Sequence, residues 1–252
     1  MHSLYTTCTD TGKLRQQNED CMGHAVNNSL NGEIFCVADG MGGHGHGELA
    51  SQAAVDATLE GFMQITAWDV NQSHKILTDL FTAAETAIHD EKRKNSITAT
   101  MGTTLAVLII LPEAALCANI GDSRIYCLRE RDLTQKSHDH TMVNELLEKN
   151  QITIEEAKAH PQKNVLTRAL TGETMLATPF VQVEPAAAGT IYLLCSDGLY
   201  NMVDEDYMAE ILRTSSIFQA RDSFLTQAYA NGATDNLTFQ IIKPRDDEKT
   251  IS

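Results

Sequence analysis

The residues best placed to do chemistry are carboxylates where apolar strands end. Phe35-Cys36-Val37-Ala38 runs into Asp39-Gly40, and Tyr192-Leu193-Leu194-Cys195-Ser196 runs into Asp197-Gly198. Asp235-Asn236 stands in mirror image ahead of the apolar run that starts at Leu237, and Asn18-Glu19-Asp20 adds two acids near the N-terminus. Carboxylates gathered on a sheet rim repel one another unless they are protonated or bridged by cations. Oxygen donors without convergent His or Cys select Mg2+ or Mn2+ over Zn2+. Each Asp-Gly taken singly is also an ordinary turn dipeptide, but its recurrence in one chain argues against that alternative.

Other chemistries fit less well. Gly40-Met41-Gly42-Gly43-His44-Gly45 matches G-x-G-x-x-G, the dinucleotide fingerprint, yet Asp39 would set a negative charge where a pyrophosphate must sit. No Gly-Lys-Ser/Thr occurs, which excludes a Walker A loop. His138-Asp139, with His140, His44 and His46 available, suggests a His/Asp metal hydrolase, but the doublet lies in a polar stretch away from any packed helix pattern. There is no G-x-S-x-G elbow, and apolar neighbours keep the Cys195 thiol protonated. Covalent catalysis is therefore disfavoured.

The elements that must position these acids are legible as β-branched and apolar runs. Strands are predicted over 33–38, 103–111, 115–120, 125–129, 190–195 and 237–243, with the two flanking Gly121-Asp122-Ser123 read as a hairpin. Helical periodicity covers 47–65 and 75–92; Asp204 is a candidate cap, and Ser216 with Gln219 forms a capping-box pattern. The polar stretch 138–171 reads as a flap laid over the core, within a single domain over 1–243 that ends in a polar tail, 244–252. Clustered strands between long helices make the chain α+β.

The chain has 252 residues, 34 acidic against 19 basic, for a net charge of −15. That balance excludes a nucleic-acid partner, which needs clustered Lys and Arg. The N-terminus lacks a basic start with an apolar run, and no apolar run approaches the ~18 residues of a membrane span. The six cysteines form no C-x-x-C pair, so we expect reduced core thiols in a cytoplasmic, membrane-free protein.

Read together, Arg15-x-x-Asn18-Glu19-Asp20, the segment from Val37 through Asp39-Gly40-Met41-Gly42-Gly43-His44, Gly102-Thr103-Thr104, Gly121-Asp122-Ser123-Arg124, Ser196-Asp197-Gly198 and Asp235-Asn236 occur in one order. That series resembles the type 2C metal-dependent protein serine/threonine phosphatases, especially their compact bacterial members. The resemblance runs over most of the chain and implies a four-layer αββα sandwich, two antiparallel β-sheets flanked by helices. It also implies two Mn2+ or Mg2+ ions at the end of the sandwich, with a possible third. By motif, Asp39 would bridge two ions, Asp197 and Asp235 would complete the first, and the Gly40 carbonyl with Glu19 or Asp20 the second. Asp122 would hold the third together with Asp197. Arg15 would bind the phosphoryl group. Animal relatives carry His directly after Asp-Gly where this chain has Met41, which leaves His44, or a metal-bound water, as candidate general acid. The expected activity is hydrolysis of phosphoserine and phosphothreonine in proteins, by a monomer opposing a Ser/Thr kinase. A catalytically weak interaction module is the alternative.

Overall fold

A computed structural model of the chain describes residues 3–42, 46–97, 99–173, 178–187 and 189–244. The predicted tail beyond 244 and His44 lie outside them.

Two antiparallel sheets lie face to face. The first runs in the order β1 (Leu4–Asp10), β11 (Leu237–Lys243), β10 (Ile191–Cys195), β7 (Arg124–Arg129), β8 (Asp132–Gln135). The second runs β2 (Asp20–Asn27), β3 (Gly32–Gly42), β5 (Leu105–Ile110), β6 (Ala114–Ile120), β9 (Phe180–Pro185), with β4 (Met101–Thr103) also on β3. Alternation within the apolar runs explains the layers, since successive side chains point to opposite faces. On β3, Phe35 and Val37 enter the inter-sheet core with Tyr192 and Leu194 of β10, while Ile34, Cys36 and Ala38 face outward. There α1 (His46–Met63) and α2 (Ser73–Lys94) cover them through Ala54, Phe62, Phe81 and Ile88. On the other side Leu193, Cys195 and Phe239 meet α6 (Glu205–Thr214) and α7 (Ile217–Ala230) through Met208, Leu212 and Phe224. Three apolar layers are thus buried, and both sheets carry helices: the expected αββα order. The antiparallel pairing of β3 also removes the parallel βαβ unit that a dinucleotide fingerprint requires.

The predicted caps form. Asp204 accepts from the Asp206 N–H, and Ser216 with Gln219 makes the reciprocal capping box. The stretch 138–171 carries two short helices, α3 (Met142–Glu148) and α4 (Ile154–Ala159). All six cysteines are free. Among the described residues no helix is long and apolar enough to cross a membrane.

Two expectations need correction. β6 and β7 do not form a hairpin: they belong to different sheets, and Gly121-Asp122-Ser123 carries the chain from one to the other. Gly121 turns that corner at φ +90°, a conformation open to glycine, with the side chain of Thr104 against its α-carbon. The predicted strand 103–111 is broken at Thr104, because this residue's polar groups turn aside to hold Asp39.

Candidate metal centre

The acids meet at one end of the sandwich. Asp39 on β3 stands directly opposite Asp20 on β2, which places both side chains on one face of the sheet. The Asp39 backbone is pinned: its N–H donates to Thr104 Oγ1 at 2.9 Å, and its carbonyl accepts from the Thr104 N–H and the Thr103 hydroxyl, each at 2.9 Å. Ser196, at the end of β10, donates to Asp20 Oδ2 at 2.7 Å and so ties the second sheet to the first. The next residue, Asp197, opens the four-residue helix α5 (Asp197–Tyr200).

Asn236 fixes the remaining wall. Its Oδ1 accepts from the Glu19 N–H at 2.9 Å, and its Nδ2 donates to the carbonyls of Thr11 and Gln17 at 3.0 and 2.9 Å. The loop carrying Arg15 is thereby drawn over the rim, where Arg15 Nη2 donates to Asp235 Oδ2 at 2.8 Å. Glu19 and Gly40 share a second cradle: a Cβ on Gly47 would lie 2.9 Å from both the Glu19 carboxyl carbon and the Gly40 carbonyl oxygen. Glycine at 47 leaves that space to the two oxygen donors. Asp122, between the sheets, accepts from the Tyr200 hydroxyl at 3.1 Å.

Crowding these charges raises their proton affinity. Burial, then the charges of Asp20, Asp197, Asp122 and Asp235, hold the Asp39 carboxyl well above the usual range. Burial followed by Asp197 and Asp139 pushes Asp122 up to about 7. Asp20 and Asp197 rise to about 6, again mainly through burial, with Ser196 offsetting part of the rise at Asp20. Arg15 moves the other way in charge terms: its hydrogen bond to Asp235, with the fields of Asp39 and Asp197, strengthens its hold on its proton.

Divalent cations are the direct remedy for such repulsion, and the donors fit them. They are all oxygens, and Asp20 Oδ1 is buried without a hydrogen-bond partner. Among the described residues no three His, Cys, Asp or Glu side chains are already closed into a chelate; Arg15 donates to Asp235 and Asn201 to Asp197. The charges of Asp20, Asp122, Asp197 and Asp235 all act on the Asp39 carboxyl, so the five acids share one end of the sandwich.

The structure thus brings together Arg15, Asp20, Asp39, Asp122, Asp197 and Asp235, with Glu19 and Gly40 behind Gly47. Sequence reasoning missed the residues that hold them: Thr104, Ser196, Tyr200, Asn201 and Asn236. Thr104, Ser196 and Asn236 did stand in the motif series, but nothing there gave them a supporting role. No cysteine competes as nucleophile, since burial pushes the thiols of Cys36, Cys117 and Cys195 far up.

An antiparallel αββα sandwich with a carboxylate-lined, Arg-capped rim is an arrangement suited to metal-assisted hydrolysis of phosphate esters. The chain belongs to the protein phosphatase 2C family, whose model matches residues 13–231. It is 37% identical over 249 residues to the Listeria monocytogenes serine/threonine phosphatase stp, covering 96% of each chain. The Mycobacterium tuberculosis serine/threonine phosphatase PstP superposes with a TM-score of 0.87 at 32% identity, over 97% of this chain and 99% of that one. A PstP catalytic domain solved with two manganese ions gives 0.84 at 31% identity, over 97% and 99%.

Proposed function

We propose that this single-domain chain is a metal-dependent protein phosphatase that hydrolyses phosphoserine and phosphothreonine in proteins, and that the rim described above is its active site. The convergence of strand-end carboxylates beneath Arg15 carries this reading. The relatives' names support the substrate class, and the manganese-bound PstP domain supports two Mn2+ or Mg2+ ions. We assign Asp39 as the shared ligand, Asp197 and Asp235 to one ion, Gly40 with Glu19 or Asp20 to the other, and Asp122 with Asp197 to a weaker third. Two bound cations would supply a water of lowered pKa for in-line attack on phosphorus.

The chain's own residues do the rest. Arg15 offers a planar, permanently charged fork for the phosphoryl oxygens, and a bound phosphate competes with Asp235 for it. Met41 cannot donate a proton to the leaving alkoxide, so we assign that role to His44. The flap over 138–171 selects the substrate protein. We further place the enzyme in the cytoplasm, as a monomer opposing a Ser/Thr kinase.

The test is release of phosphate from p-nitrophenyl phosphate and a phosphothreonine peptide with Mn2+, with Mg2+ and with EDTA. Release with either metal and none in EDTA is expected. Equal release in EDTA would overturn the reading, and no release under any condition by folded, metal-loaded protein would favour the interaction module.

A further inference from the structure

We propose that Tyr200 and Arg124 are positioning residues that tie the root of the flap to the Asp122 carboxylate. The inference rests on the phosphatase reading above and concerns how one of its outer carboxylates is held.

One turn of helix serves two acids. Tyr200, the last residue of α5, donates its hydroxyl to Asp122 Oδ2 at 3.1 Å, and the following residue, Asn201, donates Nδ2 to Asp197 Oδ2 at 3.1 Å. Asp122 and Asp197 are the pair assigned to the outer cation, so the segment after Gly198 sets one oxygen of each and leaves the other to ligate. Asp122 is buried, in a corner between sheets whose backbone turns at Gly121, and a donor on one carboxylate oxygen fixes the rotation of the group.

Tyr200 is itself held from the flap side. The Arg124 guanidinium lies over its ring, 3.7 Å from the centroid, a contact that fixes the ring plane. Arg124 has little freedom: Nε and Nη2 grip Asp139 Oδ2 at 3.0 and 2.6 Å, while Nη1 donates to Tyr126 Oη at 2.8 Å and Glu205 Oε1 at 3.2 Å. Asp139 sits where the flap segment begins, and Asn144 of α3 donates to its carbonyl at 2.9 Å. A shift at the flap root therefore moves Asp139, then Arg124, then the Tyr200 ring, and with it the donor on Asp122. Asp139 also acts on Asp122 directly through its charge, and its neighbour His140 bonds Gly121, so the relay is tested at Tyr200 and Arg124 by substitutions that keep every charge.

Mn2+ titrations, by calorimetry with free Mn2+ read by electron paramagnetic resonance, would compare wild type, Tyr200→Phe, Arg124→Lys and the pair. Wild type should show tight sites and one weaker site. Tyr200→Phe should weaken the weak site about 10- to 100-fold, as loss of an outer-shell partner does, and leave the tight sites unchanged. Arg124→Lys, which keeps the charge but loses the fork on Asp139 and the planar contact with the Tyr200 ring, should weaken it in the same sense, and the double variant should lose no more than Tyr200→Phe alone. A weak site unchanged in Tyr200→Phe, or losses that multiply in the double variant, would overturn the relay. Should Tyr200→Phe fold poorly by circular dichroism, Arg124→Lys carries the test alone, and an unchanged weak site there refutes it. A wild type with tight sites only would refute the relay and leave the phosphatase reading standing, whereas no Mn2+ binding at all would remove both.

Discussion

If the rim acids are compensated by cations in the working enzyme, stripping the metal should leave a protein that mild acid stabilises. Asp122 shows the size of the effect. Its carboxyl is pushed from an ordinary 3.8 up to about 7, chiefly by burial and by Asp197. The folded state therefore binds a proton that the unfolded chain has already released between those two values. Stability from this group is fully present below pH 4 and is lost as pH rises through 7. Each pH unit of separation is worth about 1.4 kcal/mol, so ionised Asp122 costs the metal-free protein about 4 kcal/mol at pH 8, of which about 2 kcal/mol is felt above pH 5.5. Asp20 and Asp197, each raised to about 6, add to the same slope over a lower range. Urea unfolding in EDTA at several pH values between 5.5 and 8.5 should show the midpoint falling as pH rises. Saturating Mn2+ should abolish that fall, and Asp122→Asn in EDTA should flatten it and raise stability at pH 8. A flat or rising midpoint for the metal-free wild type, or an Asp122→Asn protein weaker than wild type at pH 8, would refute the reasoning.

Three substitutions probe other parts of the site. Gly47→Ala would set a methyl 2.8 to 2.9 Å from Gly40 and the Glu19 carboxyl, so it should cost about 1–3 kcal/mol in urea unfolding and weaken Mn2+ binding; a Mn2+ titration identical to wild type would contradict the cradle. Arg15→Ala should lower kcat/KM for a phosphothreonine peptide roughly 10- to 100-fold, the worth of a charge-assisted contact, and an unchanged value would remove Arg15 from substrate binding. Glu85 of α2 is buried and accepts the N–H groups of Thr171 and Glu173 at 2.9 and 3.1 Å; Glu85→Ala should destabilise by about 3 kcal/mol, and a loss under 1 kcal/mol would show that the segment after the flap is held by other contacts.

Legibility in the sequence followed burial. β3, β5, β6, β10 and β11 bury almost every residue, so their apolar runs announce them. β1 and β2 were not anticipated because they lie at sheet edges with partly buried, mixed side chains such as Thr7, Cys8 and His24. Missing β2 also hid the pairing of Asp20 with Asp39, a fact of register that no local pattern encodes. The hairpin expected around Asp122 failed for a related reason: Gly-Asp-Ser between apolar runs signals a turn but does not say whether the second strand returns to the same sheet. Strand-end position was enough to identify Asp39 and Asp197, and Asp235 ahead of its strand, whereas Asp122 entered the site only through the resemblance to the phosphatase family. Tyr200 and Asn201 were invisible as supports, since hydroxyl and amide donors acquire a role only when the fold sets a carboxylate beside them.

The most direct test of the central claim couples metal occupancy to turnover in one titration. Mn2+ would be added to wild type and to Asp39→Asn while binding and phosphate release are followed together. At least two ions should bind the wild type, release should rise in step with them, and Asp39→Asn should lose tight binding and turnover while remaining folded. Full release by Asp39→Asn, or release from the wild type that is independent of bound Mn2+, would contradict the assignment of the rim as a metal-dependent phosphatase centre.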